Sequence, residues 1–211
     1  MGWAEFISRS WLWVCAAGAC VGNLLLSGGI LVLGPVIAEQ TFGRQSWGFV
    51  LAAQTAGMII GALIAIRLRL RRLLLFGVTC VAAEALPLFT LGVYPHLGVV
   101  LAAAFVAGLA IEQFGIAWET TLQTQVPVDR LARVYSYDTA GSYIAVPLGQ
   151  VLAGPAAETF GIKPTMTAAS ALLLLSVVAM LSSRDVRRLS RPQRPEHPAA
   201  VGQPAAVGQP A

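Results

Sequence analysis

Residues 47–72 read WGFVLAAQTAGMIIGALIAIRLRLRR. The first 20 of these residues carry no charge, and four arginines follow within the next six. A helix needs about 20 mostly apolar residues to cross a bilayer. Arginines next to such a run mark the end of the helix that stays in the cytoplasm. This stretch therefore predicts a membrane-spanning helix that ends in a basic loop.

The rest of the chain repeats this pattern on both sides. Only 11% of the 211 residues are charged and 56% are hydrophobic, whereas a soluble domain carries about 25% charged residues. The apolar runs cover residues 11–37, 47–66, 73–93, 97–118, 135–157 and 165–183. The chain is therefore predicted to be an all-α integral membrane protein with six transmembrane helices.

Three regions follow from these runs. Residues 1–10 form an N-terminal segment, and residues 11–183 form the six-helix transmembrane domain. Residues 184–211 begin with arginines and end in a repeat of Ala-Ala-Val-Gly-Gln-Pro. Such a low-complexity stretch cannot bury a core, so this tail is predicted to be disordered.

The arginines also predict how the chain lies in the membrane. Arg9 precedes the first run, and arginine clusters follow the second, fourth and sixth runs, whereas the opposite side carries only Arg44 and Lys163. By the positive-inside rule, both termini are cytoplasmic in a multi-pass protein of the cell membrane. The positive net charge of +4 thus reports topology, and no nucleic-acid partner is expected.

No motif indicates an enzyme or a cofactor. The sequence lacks a Walker A motif, GxSxG, HExxH and GxGxxG, each of which carries a particular chemistry. Cys15, Cys20 and Cys80 lie inside apolar runs, without the spacing of a zinc site. We therefore expect no enzymatic activity, no metal and no cofactor.

Polar residues within the predicted helices are the candidates for function. We select the acids Glu84, Glu112 and Asp138 and the amides Asn23, Gln54 and Gln113. An acid at membrane depth costs a few kcal/mol, so it faces a cavity, has a partner or is protonated. Glu84 and Glu112 are each compatible with a proton site or with a structural hydrogen bond to a neighbouring helix.

Four segments, taken in order, resemble a known family. They are Gly2–Trp13, Gly57–Arg72, Trp118–Val134 and Pro147–Gly161. They are similar to segments of bacterial drug-efflux members of the major facilitator superfamily. In the same order, these are the segment between the two halves, the loop motif of the second half, the loop before the eleventh helix and the eleventh helix itself. The match extends from about Gly2 to Arg188.

The resemblance implies one half, the C-terminal one, of a twelve-helix transporter fold. In that fold the first and fourth helices of each half line the central cavity, which places Asn23, Glu112 and Gln113 there. Glu84 would lie on an outer helix, so Glu112 ranks above it as a proton or substrate site. The arginines assigned to a cytoplasmic gate are Arg67, Arg71, Arg72, Arg130 and Arg133.

The expected function is half of a proton-coupled efflux transporter for small amphipathic molecules. Substrate sites in this fold lie between two halves, so the expected partners are the lipid bilayer, a substrate, protons and a second six-helix half. That half is either a second copy or a separate N-terminal half. The position of Met1 within the inter-half segment suggests a split or truncated gene. The alternative is a non-transporting remnant or a regulatory partner of another transporter.

Overall fold

Six long helices and one short helix make up the computed structural model, which describes residues 9–68 and 70–189. Within those residues no strand occurs. The helices are α1 (Ser10–Thr41), α2 (Arg44–Arg67), α3 (Leu73–Val93), α4 (Leu97–Gln125), α5 (Val128–Phe160), α6 (Ile162–Ser182) and α7 (Arg184–Arg188). The predicted disorder of the tail concerns residues 190–211, which lie outside this description, as do residues 1–8.

Five of the long helices are apolar and long enough to cross a membrane, namely α1, α2, α3, α4 and α6. This confirms the prediction of an all-α membrane protein. The exception among the long helices that the structure describes is α5, whose first three turns carry Asp129, Arg130, Arg133 and Asp138. The sixth membrane crossing therefore stays a prediction.

Two helices are longer than their predicted apolar runs. The run 97–118 is part of α4, which continues to Gln125, and the run 135–157 is part of α5, which begins at Val128. The change from apolar to polar residues marks where the chain leaves the hydrocarbon core. The helix itself can continue into water, because its backbone hydrogen bonds are formed within the helix. Pro127, between the two helices, lacks a backbone N–H and ends this extension.

Two tight turns depend on glycine. Gly43 joins α1 to α2 with φ of 92°, and Gly161 joins α5 to α6 with φ of 88°. A residue with a Cβ rarely adopts such angles, so glycine permits the short reversals at these two places. Both turns lie at the end of the bundle opposite the arginine clusters.

Hydrogen bonds from side chains to backbone carbonyls join neighbouring helices inside the bundle. Gln113 Nε2 of α4 donates to Gly61 O of α2 at 2.7 Å. Ser27 Oγ of α1 donates to Val146 O of α5 at 2.9 Å, and Ser170 Oγ of α6 donates to Ala85 O of α3 at 3.2 Å. In hydrocarbon these polar groups have no water to bind, so they hold the helix pairs together.

Glycines bring α2 and α4 into backbone contact. A Cβ on Gly57 would overlap Phe105 O, and a Cβ on Gly108 would overlap Gln54 O. The two helices therefore interlock through reciprocal positions, each of which admits only hydrogen. Small residues in such positions allow close packing without a hydrophobic driving force.

We expect Gly108→Ala to destabilise the protein by about 1–3 kcal/mol, because the added methyl overlaps the backbone of α2. Gly115→Ala is the matched control on the same helix, since a Cβ there meets no atom within 4 Å. The control should be neutral or stabilising by up to ~1 kcal/mol, because alanine favours helix. Unfolding in mixed micelles with increasing SDS measures both, and equal midpoints would contradict the interlocked packing.

Candidate functional site

A cavity of about 250 Å³ lies inside the bundle, between α1, α3, α4, α5 and α6. Most of its wall is apolar. The polar side chains that line it are Asn23, Glu84, Trp118, Asp138 and Ser142. They come from four helices. Glu84 lies roughly 18 Å along α3 from Arg72, and Asp138 lies roughly 7.5 Å along α5 from Arg133, at 1.5 Å per residue. The cavity therefore extends from near the arginine-rich end to the middle of α3, where Glu84 lies within a membrane-spanning helix.

Glu84 is the most deeply buried acid of the site. Its side chain is only 7% exposed, and within residues 9–68 and 70–189 it has no hydrogen-bond or ion-pair partner. It ends a short 3₁₀ turn, Ala82–Glu84, that interrupts α3. Pro87 follows and cannot donate a backbone hydrogen bond to the preceding turn. The irregular turn thus places an unpaired carboxyl group beside the cavity.

The other polar residues of the cavity are paired. Trp118 Nε1 of α4 donates to Asp138 Oδ2 of α5 at 3.1 Å. Asn23 Nδ2 of α1 donates to Ser142 Oγ of α5 at 3.2 Å. Asp138 and Ser142 are one turn apart on α5, so both bonds fix the same face of that helix.

The cavity has an acidic character. Its described lining holds two carboxyl groups and no lysine, arginine or histidine. Beside it, Phe114 and Trp118 stack with ring centroids 6.3 Å apart. Carboxyl groups in a low-dielectric pocket bind a proton or a cation, because a negative charge without a counter-ion is costly there. No group of three metal-ligating side chains occurs in the described parts of the chain.

The structure brings together only some of the predicted site residues. Asn23, Glu84 and Asp138 share the cavity. Glu112, Gln113 and Gln54 lie at the contact between α2 and α4, where Gln113 bonds to α2 and Glu112 Cβ faces Gly61. The ranking of Glu112 above Glu84 rests on the family pattern and stays a prediction, while the burial of Glu84 beside the cavity makes Glu84 a second candidate.

Two curated transporters resemble the chain. The multidrug efflux pump Tap of Mycolicibacterium fortuitum is 30% identical over 152 residues, which are 70% of this chain and 36% of the pump. The uncharacterized MFS-type transporter YvqJ of Bacillus subtilis (strain 168) is 30% identical over 126 residues, which are 59% of this chain and 30% of that transporter. This chain belongs to the major facilitator superfamily. It spans about a third of the length of the curated relatives it matches. No family model matches it, and no solved structure is significantly similar.

In this member of the superfamily the predicted gate arginines lie at one end of the bundle. Arg67, Arg71 and Arg72 are exposed where α2 meets α3, and Arg130 and Arg133 are exposed at the start of α5. Arg130 pairs with its neighbour Asp129 at 3.5 Å. At the same end, Arg9 donates a hydrogen bond to Gln125 O at the end of α4, and Ser10 of α1 donates one to Asp185 of α7.

Sequence reasoning missed Trp118 and Ser142 as parts of the site. Ser142 was visible on the same helical face as Asp138. Trp118 carried a signal as well, because an indole N–H inside an apolar helix needs an acceptor. Its acceptor lies 20 residues away on another helix, and only the packing of α4 and α5 identifies it.

We expect Trp118→Phe to lower stability by about 1.5–3 kcal/mol, the usual range for a hydrogen bond to a charged group. Phenylalanine keeps a ring against Phe114 but removes the donor to Asp138. Trp13→Phe is the matched control, since Trp13 is 45% exposed on the outer surface. SDS unfolding monitored by circular dichroism compares the variants, and equal losses in both would refute a special role for the Trp118–Asp138 bond.

Proposed function

We propose that this chain works as the C-terminal half of a proton-coupled efflux transporter for small amphipathic molecules. It lies in the cell membrane with both termini in the cytoplasm, as the arginine-rich end indicates. The proposal is supported by the transporter relatives, one of which is named a multidrug efflux pump. It is further supported by the acidic cavity within the membrane-spanning bundle.

The observation that carries proton coupling is the unpaired carboxyl group of Glu84. A buried carboxylate without a counter-ion is unstable in a low-dielectric site, whereas the protonated acid is neutral and fits there. The acid can therefore bind a proton when the cavity is reached from one side of the membrane. It would release the proton when the cycle hydrates the cavity from the other side. Asp138 lines the same space and disfavours a second negative charge.

Glu112 is the alternative proton site. It is partly exposed next to the glycine contact of α2 and α4, and no described side chain pairs with it. Helix α4 is the fourth of this half, which by family resemblance lines the cavity between the halves. Glu112 and Gln54, which are both partly exposed, thus suit contact with a substrate at that larger interface, whereas Gln113 is buried and bonded to Gly61 O.

The arginines at the ends of α2 and α5 are proposed to form a cytoplasmic gate. Among the described residues, Arg67, Arg71, Arg72 and Arg133 have no ion-pair partner. A guanidinium group at such a place pairs with acids or helix C-termini of a facing half in one state of the cycle. The five arginines would then stabilise the closed cytoplasmic side.

A second six-helix half is required by this proposal. Helix α5 exposes Tyr143 to 76% near its midpoint, where lipid offers no hydrogen bond to a hydroxyl group. A covering half or a water-filled cavity would satisfy that hydroxyl. The partner is either a second copy of this chain or a separate half. The alternative function is that of a non-transporting remnant or a regulatory partner of another transporter.

We expect the purified chain to form a homodimer in mild detergent. Light scattering with the detergent contribution subtracted should give a mass near twice 22.1 kDa. Tyr143→Arg, which places a charge on the exposed face of α5, should reduce the dimer, whereas the same change at Leu175 on the outer face of α6 should not. A stable monomer would contradict the homodimer and direct the search to a separate half.

We expect Glu84→Gln to abolish the pH dependence of dye efflux in the active assembly, because glutamine resembles the protonated acid and cannot release a proton. A driving force of 100 mV stores about 2.3 kcal/mol per proton, so the variant should lose up to a roughly 50-fold concentration ratio. Vesicles with an imposed pH gradient and a fluorescent amphipathic dye measure this loss.

The matched comparison uses Glu112→Gln, with exposed Glu158→Gln as control. If Glu112→Gln alone removes the response to the pH gradient, the proton site is Glu112 and the assignment to Glu84 is wrong. If none of the three variants changes it, proton coupling through these acids is excluded. Retained dye binding in Glu84→Gln separates a coupling defect from misfolding.

A further inference from the structure

A second cavity lies on the outer side of the bundle, between α1, α5 and α6. Its volume is about 400 Å³, larger than that of the acidic cavity. The wall combines buried side chains, among them Leu33 and Met166, with exposed apolar residues at its edge. Representative residues are Gly28, Ala153, Phe160, Ala168 and Leu172. We call this space the α5–α6 groove.

The described lining of the groove has no free side-chain group that could hydrogen-bond to water. Thr165 is the polar side chain in its described lining. Its hydroxyl lies 2.7 Å from Gly161 O and 3.1 Å from Ala156 O, so it is already bonded within the protein. Apolar cavities without polar partners stay dry and take up apolar ligands instead. The occupant must therefore be hydrocarbon.

The groove is continuous with the surface that faces lipid. Leu172 at its rim is 51% exposed, and Leu175 and Val178 continue the same exposed face of α6. This helix is one of the five that are apolar and long enough to cross the membrane. A lipid chain thus reaches the groove from the bilayer without crossing a polar barrier.

The length of the groove matches one leaflet. It begins at the turn at Gly161 and extends to Leu172 on α6 and Gly149 on α5. These roughly eleven residues span about 16 Å at 1.5 Å per residue. The hydrocarbon core is about 30 Å thick, so the groove covers half of it, on the side away from the arginine-rich end.

Packing explains why the groove stays open. Gly28 and Gly149 bring α1 and α5 together, since a Cβ on Gly28 would lie 2.5 Å from Gly149 O. Helices α5 and α6 meet at the Gly161 turn, where Thr165 bonds to Ala156 O. Small residues then line both helices, so the wedge between them is not filled by side chains.

We propose that the α5–α6 groove binds one acyl chain of a phospholipid from the leaflet opposite the arginine-rich end. The proposal requires only that the bundle spans the membrane and is independent of transport. A second copy of the chain seated on this face is the competing occupant. The two occupants are distinguished by a substitution that fills the groove with a larger side chain. Such a change releases a bound lipid in one case and dissociates the second copy in the other.

The test uses the full chain purified from vesicles of phosphatidylethanolamine and phosphatidylglycerol, with retained phospholipid counted by native mass spectrometry. Wild type should keep about one lipid per chain. Ala168→Phe fills the groove and should lower occupancy about tenfold, the factor expected when roughly two methylene groups lose their apolar contacts. Ala171→Phe is the matched control, because Ala171 is exposed on the same helix outside the groove.

Ala168→Leu, a smaller change, keeps the test valid if the phenylalanine variant does not fold. A wild-type protein without retained lipid would overturn the proposal. Equal retention in wild type and in the Ala168 and Ala171 variants would also overturn it, since the lipid would then bind elsewhere. A lipid-free dimer that Ala168→Leu dissociates would show that a second copy occupies the groove.

Discussion

The absence of hydrogen-bonding solvent in the bilayer core is the constraint on which this structure depends. Every backbone group within the core must be satisfied inside the chain, which leaves helices as the available element. Polar side chains face the same demand. Gln113, Ser27 and Ser170 each meet it by donating to a carbonyl of a neighbouring helix. The bonds that satisfy these groups also determine which helices lie side by side. Glu84 has no such bond, so helix packing does not account for the presence of an acid at this position.

Sequence predicted the helices well because hydropathy and charge report the membrane directly. The apolar run 73–93 coincides with α3, and the run 165–183 nearly coincides with α6. Asp138 and Ser142 are four residues apart, so helical periodicity alone puts them on one face. It could not pair faces of different helices, because the contact between Trp118 and Asp138 depends on how α4 and α5 cross. The preference for Glu112 came from the position of α4 in a twelve-helix fold, whereas the burial of Glu84 depends on the 3₁₀ turn in α3.

Glycine acts in opposite ways on the two sides of the bundle. Between α2 and α4, Gly57 and Gly108 bring backbones together and leave no space. Between α5 and α6, small residues line a wedge whose helices meet only towards the Gly161 turn, and a groove remains. A glycine motif in the sequence therefore does not distinguish a tight contact from an open space. The crossing geometry of the helices decides between them.

Irregular helix segments lie next to both cavities. The 3₁₀ turn of α3 ends at Glu84, and α1 widens to a π-helix over Ser27–Leu33, beside the groove. Such segments often mark functional places, because their backbone bonds are weaker and more easily rearranged than those of an α-helix. By contrast, α2 and α4 are regular and interlocked. If protonation within the acidic cavity drives a change of shape, the change should therefore run through α1, α3 and α5, while the α2–α4 pair moves as a rigid body. The Trp118–Asp138 bond is then the point at which the charge of the cavity acts on that pair, since it connects α4 to α5 through Asp138, which shares the cavity with Glu84.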